Sequence, residues 1–278
     1  MMAVGKVLAF CKQHKQFTAF FILSLLVIAA AVFAPFIATH DPYEAVISNV
    51  EQPPDANHWF GTDKLGRDLF SRVIYGTRTS LASALLLVFV TLAAGSVLGI
   101  LAGYFGGVTD SVIMRISDMM ISFPGLVLAI AIAGILGSSL ANAVIAIVAV
   151  SWTKYARLAR SMVLRIKNKD YVSAAVLTGS RTGYILRKYI LKMTMPFLIV
   201  TAATDIGTMM LELAALSFLG FGAQPPAPEW GLMLNEGRAY LQNSPWMMFF
   251  PGLAIFTVVV IFNLMGDSLR DILDTGNE

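Results

Sequence analysis

Long apolar stretches alternate along this chain with short segments that hold nearly all of its charge. About 20 apolar residues rising about 1.5 Å each span a hydrocarbon core ~30 Å thick. The first such run, FTAFFILSLLVIAAAVFAPFI, predicts a helix over 17–38. Residues 40–78 are polar and read as a loop outside the membrane. A second helix is expected over 79–104, because no charge occurs between Arg78 and Asp110. Residues 119–153 then carry no charge, a length of roughly 50 Å if straight, too long for one span. The interruption GILGSSLANA divides it into a third helix over 115–136 and a fourth over 140–160. A basic loop runs to about 192, a fifth helix covers 195–220, and a sixth covers 245–267.

The expected fold class is therefore an all-α polytopic membrane protein with six transmembrane helices. Its regions are 1–78 (tail, first helix, external interfacial segment), a five-helix core over 79–267 with a cytoplasmic loop at about 160–192, and a tail over 268–278. No separate soluble domain is expected. Composition agrees: 57% of the 278 residues are hydrophobic and 13% charged, against roughly 25% charged in soluble domains.

Six spans place both termini on one side. With the N-terminus in the cytoplasm, the inside segments hold 15 of the 20 Lys and Arg residues, ten of them between Lys154 and Lys192. The positive-inside bias selects that orientation. Lys6, Lys12 and Lys15 precede the first run, which is longer than a signal-peptide core and reads as an uncleaved helix. The single cysteine, Cys11, excludes an internal disulfide and reads as a passive thiol.

The loop after helix four is longer than the 2–8 residues that packed helices usually need. Its sequence DYVSAAVLTGSRTGYILRKYILKMTMP favours helix. Asp170 is placed to cap a short helix, Ala174 and Ala175 favour it, and Gly179 can end it in the left-handed conformation. A second, amphipathic helix follows, with Ile185, Tyr189 and Ile190 apolar and Arg187 and Lys188 polar. Together they form a plug suited to a groove in a soluble partner. A basic loop lying against anionic lipid is the other reading.

This segment resembles the "EAA" loop of the transmembrane permease subunits of bacterial ATP-binding-cassette (ABC) importers: Glu-Ala-Ala, three residues, Gly. Here it stands as Ser173-Ala174-Ala175, three residues, Gly179. Ser173 replaces the glutamate, and Lys192 stands where many relatives carry a proline ahead of Pro196. HWFGTDKLGRDLFSRVIYGTRTSL, LSFLGFGAQPPAPEWG and FNLMGDSLRDILD resemble the dipeptide/oligopeptide/nickel group, and its smaller permease in particular. The resemblance implies a type I importer permease fold. It also implies a homologous permease partner, two ATP-binding subunits and an extracytoplasmic solute-binding protein in the bacterial cytoplasmic membrane. Tyr171, Ser173, Ala174, Ala175 and Gly179 would form the coupling element, and transport would proceed by alternating access. TDIGTMM and EWGLMLNEGRAYL lean toward nickel-type members, with di- or oligopeptide cargo as the alternative.

The residues themselves add chemistry. The chain lacks G-x-x-x-x-G-K-[ST], so no phosphate-cradling loop of that type is present and no enzymatic activity is expected. Thr201, Asp205, Thr208 and Glu212 share one helix face, with Met209 adjacent. Carboxylates at membrane depth usually face a bundle interior or a water cavity. The stripe reads as a translocation path offering acceptors to a cation or an ammonium group, or else as hydrogen bonding to a neighbouring helix.

Four other stretches carry expectations. GTDKLGRDLFSRVIYG reads as an interfacial helix capped by Thr62 or Asp63, with Leu65, Leu69, Phe70, Val73 and Ile74 on one face and Arg67, Asp68, Ser71 and Arg72 on the other. Its arginines, with Arg78, are expected to pair with Asp63, Asp68 or a sister subunit. AQPPAPEWG should be extended, serving as gate loop, docking surface or rigid connector, with Trp230 in an interfacial belt. Asp267 and Asp271 fall near the end of helix six, where Arg270 or the basic loop would compensate them. His14, His40 and His58 all lie outside the spans, so no imidazole cage for nickel lies in the membrane path, and an ion there would meet oxygen or thioether ligands or arrive in a chelate; no cofactor and no metal site is assigned. A secondary transporter would explain the carboxylates but not the plug. A membrane anchor would not need them, and a hydrolase would need a base no span supplies.

Overall fold

The computed structural model describes residues 13–275. Lys6, Cys11 and Lys12, and residues 276–278, lie outside the described residues. The chain is built from helices: α1 Lys15–Val32, α2 Leu69–Phe105, α3 Gly107–Ile121, α4 Gly125–Leu136, α5 Leu140–Ile166, α6 Asp170–Leu177, α7 Lys192–Phe218, α8 Trp230–Gly237 and α9 Trp246–Thr275. Four helical segments are long and apolar enough to cross a membrane, and the bent pair α3–α4 makes a fifth. α5 occupies the expected position of helix four but is not among those segments, so six spans were expected where the described helices give four or, counting the bent pair as one span, five.

Three boundaries differ from expectation. Helix two begins at Leu69 rather than 79, so the stretch read as a separate interfacial helix is the start of a 37-residue helix. At about 1.5 Å per residue α2 is ~55 Å long, and its first turns project past one membrane face. The third span is not one helix. It bends by 94° at Ser122-Phe123-Pro124, where the proline ring removes a backbone donor. The sixth helix continues to Thr275, so Asp267 lies two turns inside it rather than at its end. The region limits expected at 78 and 267 therefore fall within helices.

α2 and α5 pack along small residues. Gly95, Gly99 and Gly103 recur every fourth position, and a methyl group at Gly99 would sit 2.2 Å from the Ala156 carbonyl oxygen. Spacing of this kind lets helix backbones approach where lipid gives no hydrophobic drive. α7 meets α9 the same way, with Gly207 against Asn263 and Gly266 against Thr204. α1 lies at the periphery with only Ser24 and Ala31 buried.

The end of the bundle holding the start of α2 and the proline-rich segment is locked by buried ions. Arg67 and Arg72 are 2% and 0% exposed, so the polar face expected to meet water points inward. Arg67 Nε donates to Asp63 Oδ2 at 2.6 Å, and its Nη2 reaches Glu236 at 3.2 Å. Arg72 Nη2 donates to Glu236 at 3.3 Å. Its Nη1 donates to the carbonyls of Pro42 at 3.1 Å and Pro226 at 3.3 Å. The pairing with Asp63 was legible in the sequence; Glu236, 169 residues from Arg67, was not. The cap of α2 is Asp68, whose Oδ2 accepts the Ser71 N–H at 2.8 Å, rather than Thr62 or Asp63.

The proline-rich segment is non-helical, as expected, but Trp230 is not interfacial. It is 1% exposed, seated on Gly76, and donates from Nε1 to the Val73 carbonyl at 3.0 Å. Glu229 caps α8 through the N–H groups of Gly231 and Leu232 at 2.9 and 2.8 Å. Burial raises the Glu229 carboxyl above the ordinary carboxylate range, a shift opposed by those same hydrogen bonds.

Candidate translocation groove and coupling surface

The elbow between α3 and α4 faces α5 and α7 across a cavity of about 360 Å³. Asp205, Thr208, Met209 and Glu212 all line it, so four of the five stripe residues meet in one place. Thr201 does not. One turn back, it lines a second cavity of about 460 Å³ with Arg165 and Arg270.

Asp205 is 5% exposed and fully engaged. Lys154 Nζ donates to its Oδ1 at 2.6 Å, and the Tyr155 hydroxyl to its Oδ2 at 2.9 Å. Both partners sit on α5, in a sequence (SWTKYARL) expected at the end of helix four, where Lys154 had counted only toward the charge bias. The usable signal was a lysine at the end of an uncharged run. Lys154 lines both cavities and is 56% exposed at its side chain. Glu212 is half-buried in the same cavity and has no hydrogen-bond or salt-bridge partner among the described residues. The groove therefore offers one cation, one carboxylate bound to it, and one carboxylate open to a ligand.

At the opposite end from the buried arginines, α6 ends in a sharp turn. Gly179 has φ +76°, a conformation that disfavours any side chain, as the sequence predicted. Asp170 is the first helical residue; Lys169 holds the cap position without a side-chain bond. Val172 and Ala175 are buried, while Ser173 and Ala174 are exposed. Leu177 is 87% exposed, and nothing among the described residues covers it. Tyr171 is exposed and its hydroxyl contacts Met193 Sδ at 2.8 Å. Ile185 and Ile190 are buried and Arg187 and Lys188 exposed, as the amphipathic pattern predicted. The second helix is not separate, however. Residues 182–191 run directly into α7 through one wide turn at Leu186–Leu191. The basic loop is thus mostly the projecting ends of α5 and α7, bridged by α6. Arg160 with Asp110, and Arg157 with Asp118, tie α5 to α3 beside it.

This helical bundle with a projecting short helix is the fold of a type I ABC importer permease. Residues 95–277 match the family of binding-protein-dependent transport system inner membrane components. The chain belongs to that family and is a multi-pass inner-membrane permease subunit of an ABC importer. Such permeases work with ATP-binding subunits and a solute-binding protein.

It is 44% identical to the dipeptide transport system permease protein of Alkalihalophilus pseudofirmus, over 95% of this chain and 86% of that one. It is 45% identical to the probable D,D-dipeptide transport system permease protein of Escherichia coli, over 91% and 85%. Identity to the glutathione transport system permease protein of Pectobacterium atrosepticum is 43%, over 95% and 88%. Among solved structures, an inward-facing methionine ABC transporter aligns with a TM-score of 0.57 at 18% identity. That alignment covers 73% of this chain and 97% of the other. These relatives carry peptide names, so the comparisons favour the peptide alternative over the nickel lean.

Proposed function

We propose that this chain forms, with a homologous permease, the path by which a two-ATPase importer moves di- or oligopeptides inward across the cytoplasmic membrane. Both termini face the cytoplasm in this reading, which places α6 and the basic helix ends there, in keeping with the charge bias. Tyr171, Ser173, Ala174, Ala175 and Gly179 seat in the ATPase subunit. Closure of the ATPase dimer on ATP moves α6 as a rigid piece, and α5 and α7 swing with it.

The observation that carries the cargo reading is the charge set of the groove. Glu212 is open to the ammonium end of a peptide. Lys154, held by Asp205, is exposed enough to exchange that carboxylate for the peptide's own. Both kinds of contact are charge-assisted hydrogen bonds, the strong class. Peptide-named relatives at 43–45% identity support the same reading.

The test is uptake in cells lacking this permease, with the gene restored or absent. Labelled dipeptide and labelled nickel are supplied separately. Permease-dependent dipeptide uptake is expected. Nickel uptake without dipeptide uptake would overturn the cargo assignment, and Asp205 and Glu212 would become groups facing a metal or its chelate.

A further inference from the structure

Three side chains that the sequence keeps apart meet outside the membrane core, beside the first turn of α2. His40, His58 and Asp68 each present a ligand-type atom, and these atoms all lie within 4.8 Å of one another. His58 Nδ1 is 2.8 Å from Asp68 Oδ1, and His40 Nδ1 is 3.7 Å from the same oxygen. The two rings stand 4.7 Å apart between centroids. We propose that His40, His58 and Asp68 form a site for a divalent transition metal such as Zn²⁺, Ni²⁺ or Co²⁺. The site is separate from the translocation groove.

The chemistry of the set fits. Two imidazole nitrogens and one carboxylate oxygen, with an open position, are a common environment for these ions. Bonds of about 2.0–2.2 Å place tetrahedral ligands ~3.3 Å apart, and the two separations above bracket that value. The capping duty of Asp68 does not compete, because Oδ2 accepts the Ser71 N–H and the imidazoles converge on Oδ1. His58 Nε2 lies 3.4 Å from the Asn49 side-chain nitrogen, so a metal on Nδ1 requires that amide to turn and present its oxygen to the Nε2–H. Access comes through His40, whose side chain is 42% exposed, while Asp68 is 1% exposed. His40 Nδ1 otherwise contacts the Thr39 hydroxyl at 3.0 Å.

An ion here clips residues 39–42 to α2, two residues from where Arg72 already takes the Pro42 carbonyl. The consequence is stabilisation of the outer end by mass action, independent of cargo.

The experiment uses the assembled transporter in nanodiscs, purified through a histidine-free tag and stripped of metal. Co²⁺ is titrated with visible absorption as the readout, and Zn²⁺ by competition with a chelating dye. Wild type should bind one equivalent more than His40→Ala, or bind that equivalent at least ~10-fold more tightly. The His14→Ala control should match wild type. His40 is exposed, so its variant is expected to stay assembled, which size-exclusion chromatography checks. Identical titrations of wild type and His40→Ala would overturn the proposal, as would absence of any wild-type binding up to ~1 mM metal, far weaker than a dedicated transition-metal site.

Discussion

Two of the ionic clusters among the described residues are built to opposite ends. At the end that the proposed orientation places outside, Asp63, Arg67, Arg72 and Glu236 are between 0% and 7% exposed at their side chains and interlock through several bonds. In the groove, Asp205 is equally buried, but its partner Lys154 is more than half exposed and a second carboxylate stands beside it uncommitted. Both join elements far apart in sequence, and both rest on charge-assisted bonds. What separates them is whether a charge can find another partner. In the outer cluster Arg67 is buried against carboxylates and Arg72 against Glu236 and two carbonyls, with Arg72 Nε alone of its nitrogens lacking a hydrogen bond, so the cluster welds α2, α8 and the proline-rich segment. In the groove the lysine opens on two cavities and can exchange.

The comparison breaks most visibly at Arg72. Removing one member of a buried ionic network typically costs 3–5 kcal/mol, because the partners keep their charge without compensation. Arg72→Met should therefore lower yield and thermal stability of the assembled transporter sharply, measured by a melting curve in detergent. A variant that melts within a degree of wild type would show that the outer cluster is not a weld.

Next is Lys154→Met. Its effect should fall on transport rather than on folding. Dipeptide uptake should drop at least ~10-fold, the cost of about one charge-assisted bond, with assembly retained. Asp205→Asn should act in the same direction, and Glu212→Gln should raise the apparent KM more than it lowers the maximal rate. If Lys154→Met instead destabilised the protein as Arg72→Met does, the two clusters would be of one kind. The path reading would then lose its main support.

How much of this was legible beforehand follows the range of the interactions. Spans, the amphipathic face of Ile185 and Ile190, and the turn at Gly179 depend on residues within a helical turn or two, and the sequence carries them openly. The carboxylate stripe was visible for the same reason, since i, i+3 and i+4 share a face. The partners were not. Lys154 meets Asp205 over 51 residues and Arg67 meets Glu236 over 169, and no periodicity records such pairing. Polarity also misled. Arg67, Arg72 and Trp230 were assigned to the surface because such residues usually lie there, yet here mutual neutralisation and a backbone acceptor carry them inside. The glycine ladder at 95, 99 and 103 lay in plain view inside an apolar run, and its meaning emerges only with Ala156 and Val163 opposite it.

Gly179 extends the comparison to the far end of the chain. Neither cluster touches it, and a methyl group there would meet nothing within 4 Å. The only penalty of Gly179→Ala is backbone strain at φ +76°, roughly 1–2 kcal/mol. Global melting should change little. ATP hydrolysis by the assembled complex should persist while uptake per ATP falls. Unchanged coupling in that variant, and in Gly179→Leu, would argue against α6 as the element that transmits motion.

Glu229 sharpens the contrast with the smallest effect. It lies beside the weld and is as buried as its members, yet no arginine meets it; backbone N–H groups and the Ser80 hydroxyl at 3.3 Å do. Dipoles compensate a buried charge only partly, which is why burial still raises this carboxyl. Glu229→Gln gives up one cap acceptor, about 1 kcal/mol, and is relieved of the cost of a buried charge, so the net change should stay under ~1 kcal/mol. Glu229→Ala loses the cap outright and should cost about 1–2 kcal/mol. The sign of the pH dependence follows from the raised value: the folded chain holds the proton more tightly than the unfolded one. The contribution of wild-type Glu229 to stability is then full below the ordinary carboxylate range and declines as pH rises through the raised value. The glutamine variant should lack that decline. Melting temperatures of the two proteins compared across that range decide it, and parallel curves would mean that Glu229 is as fully compensated as the carboxylates of the weld.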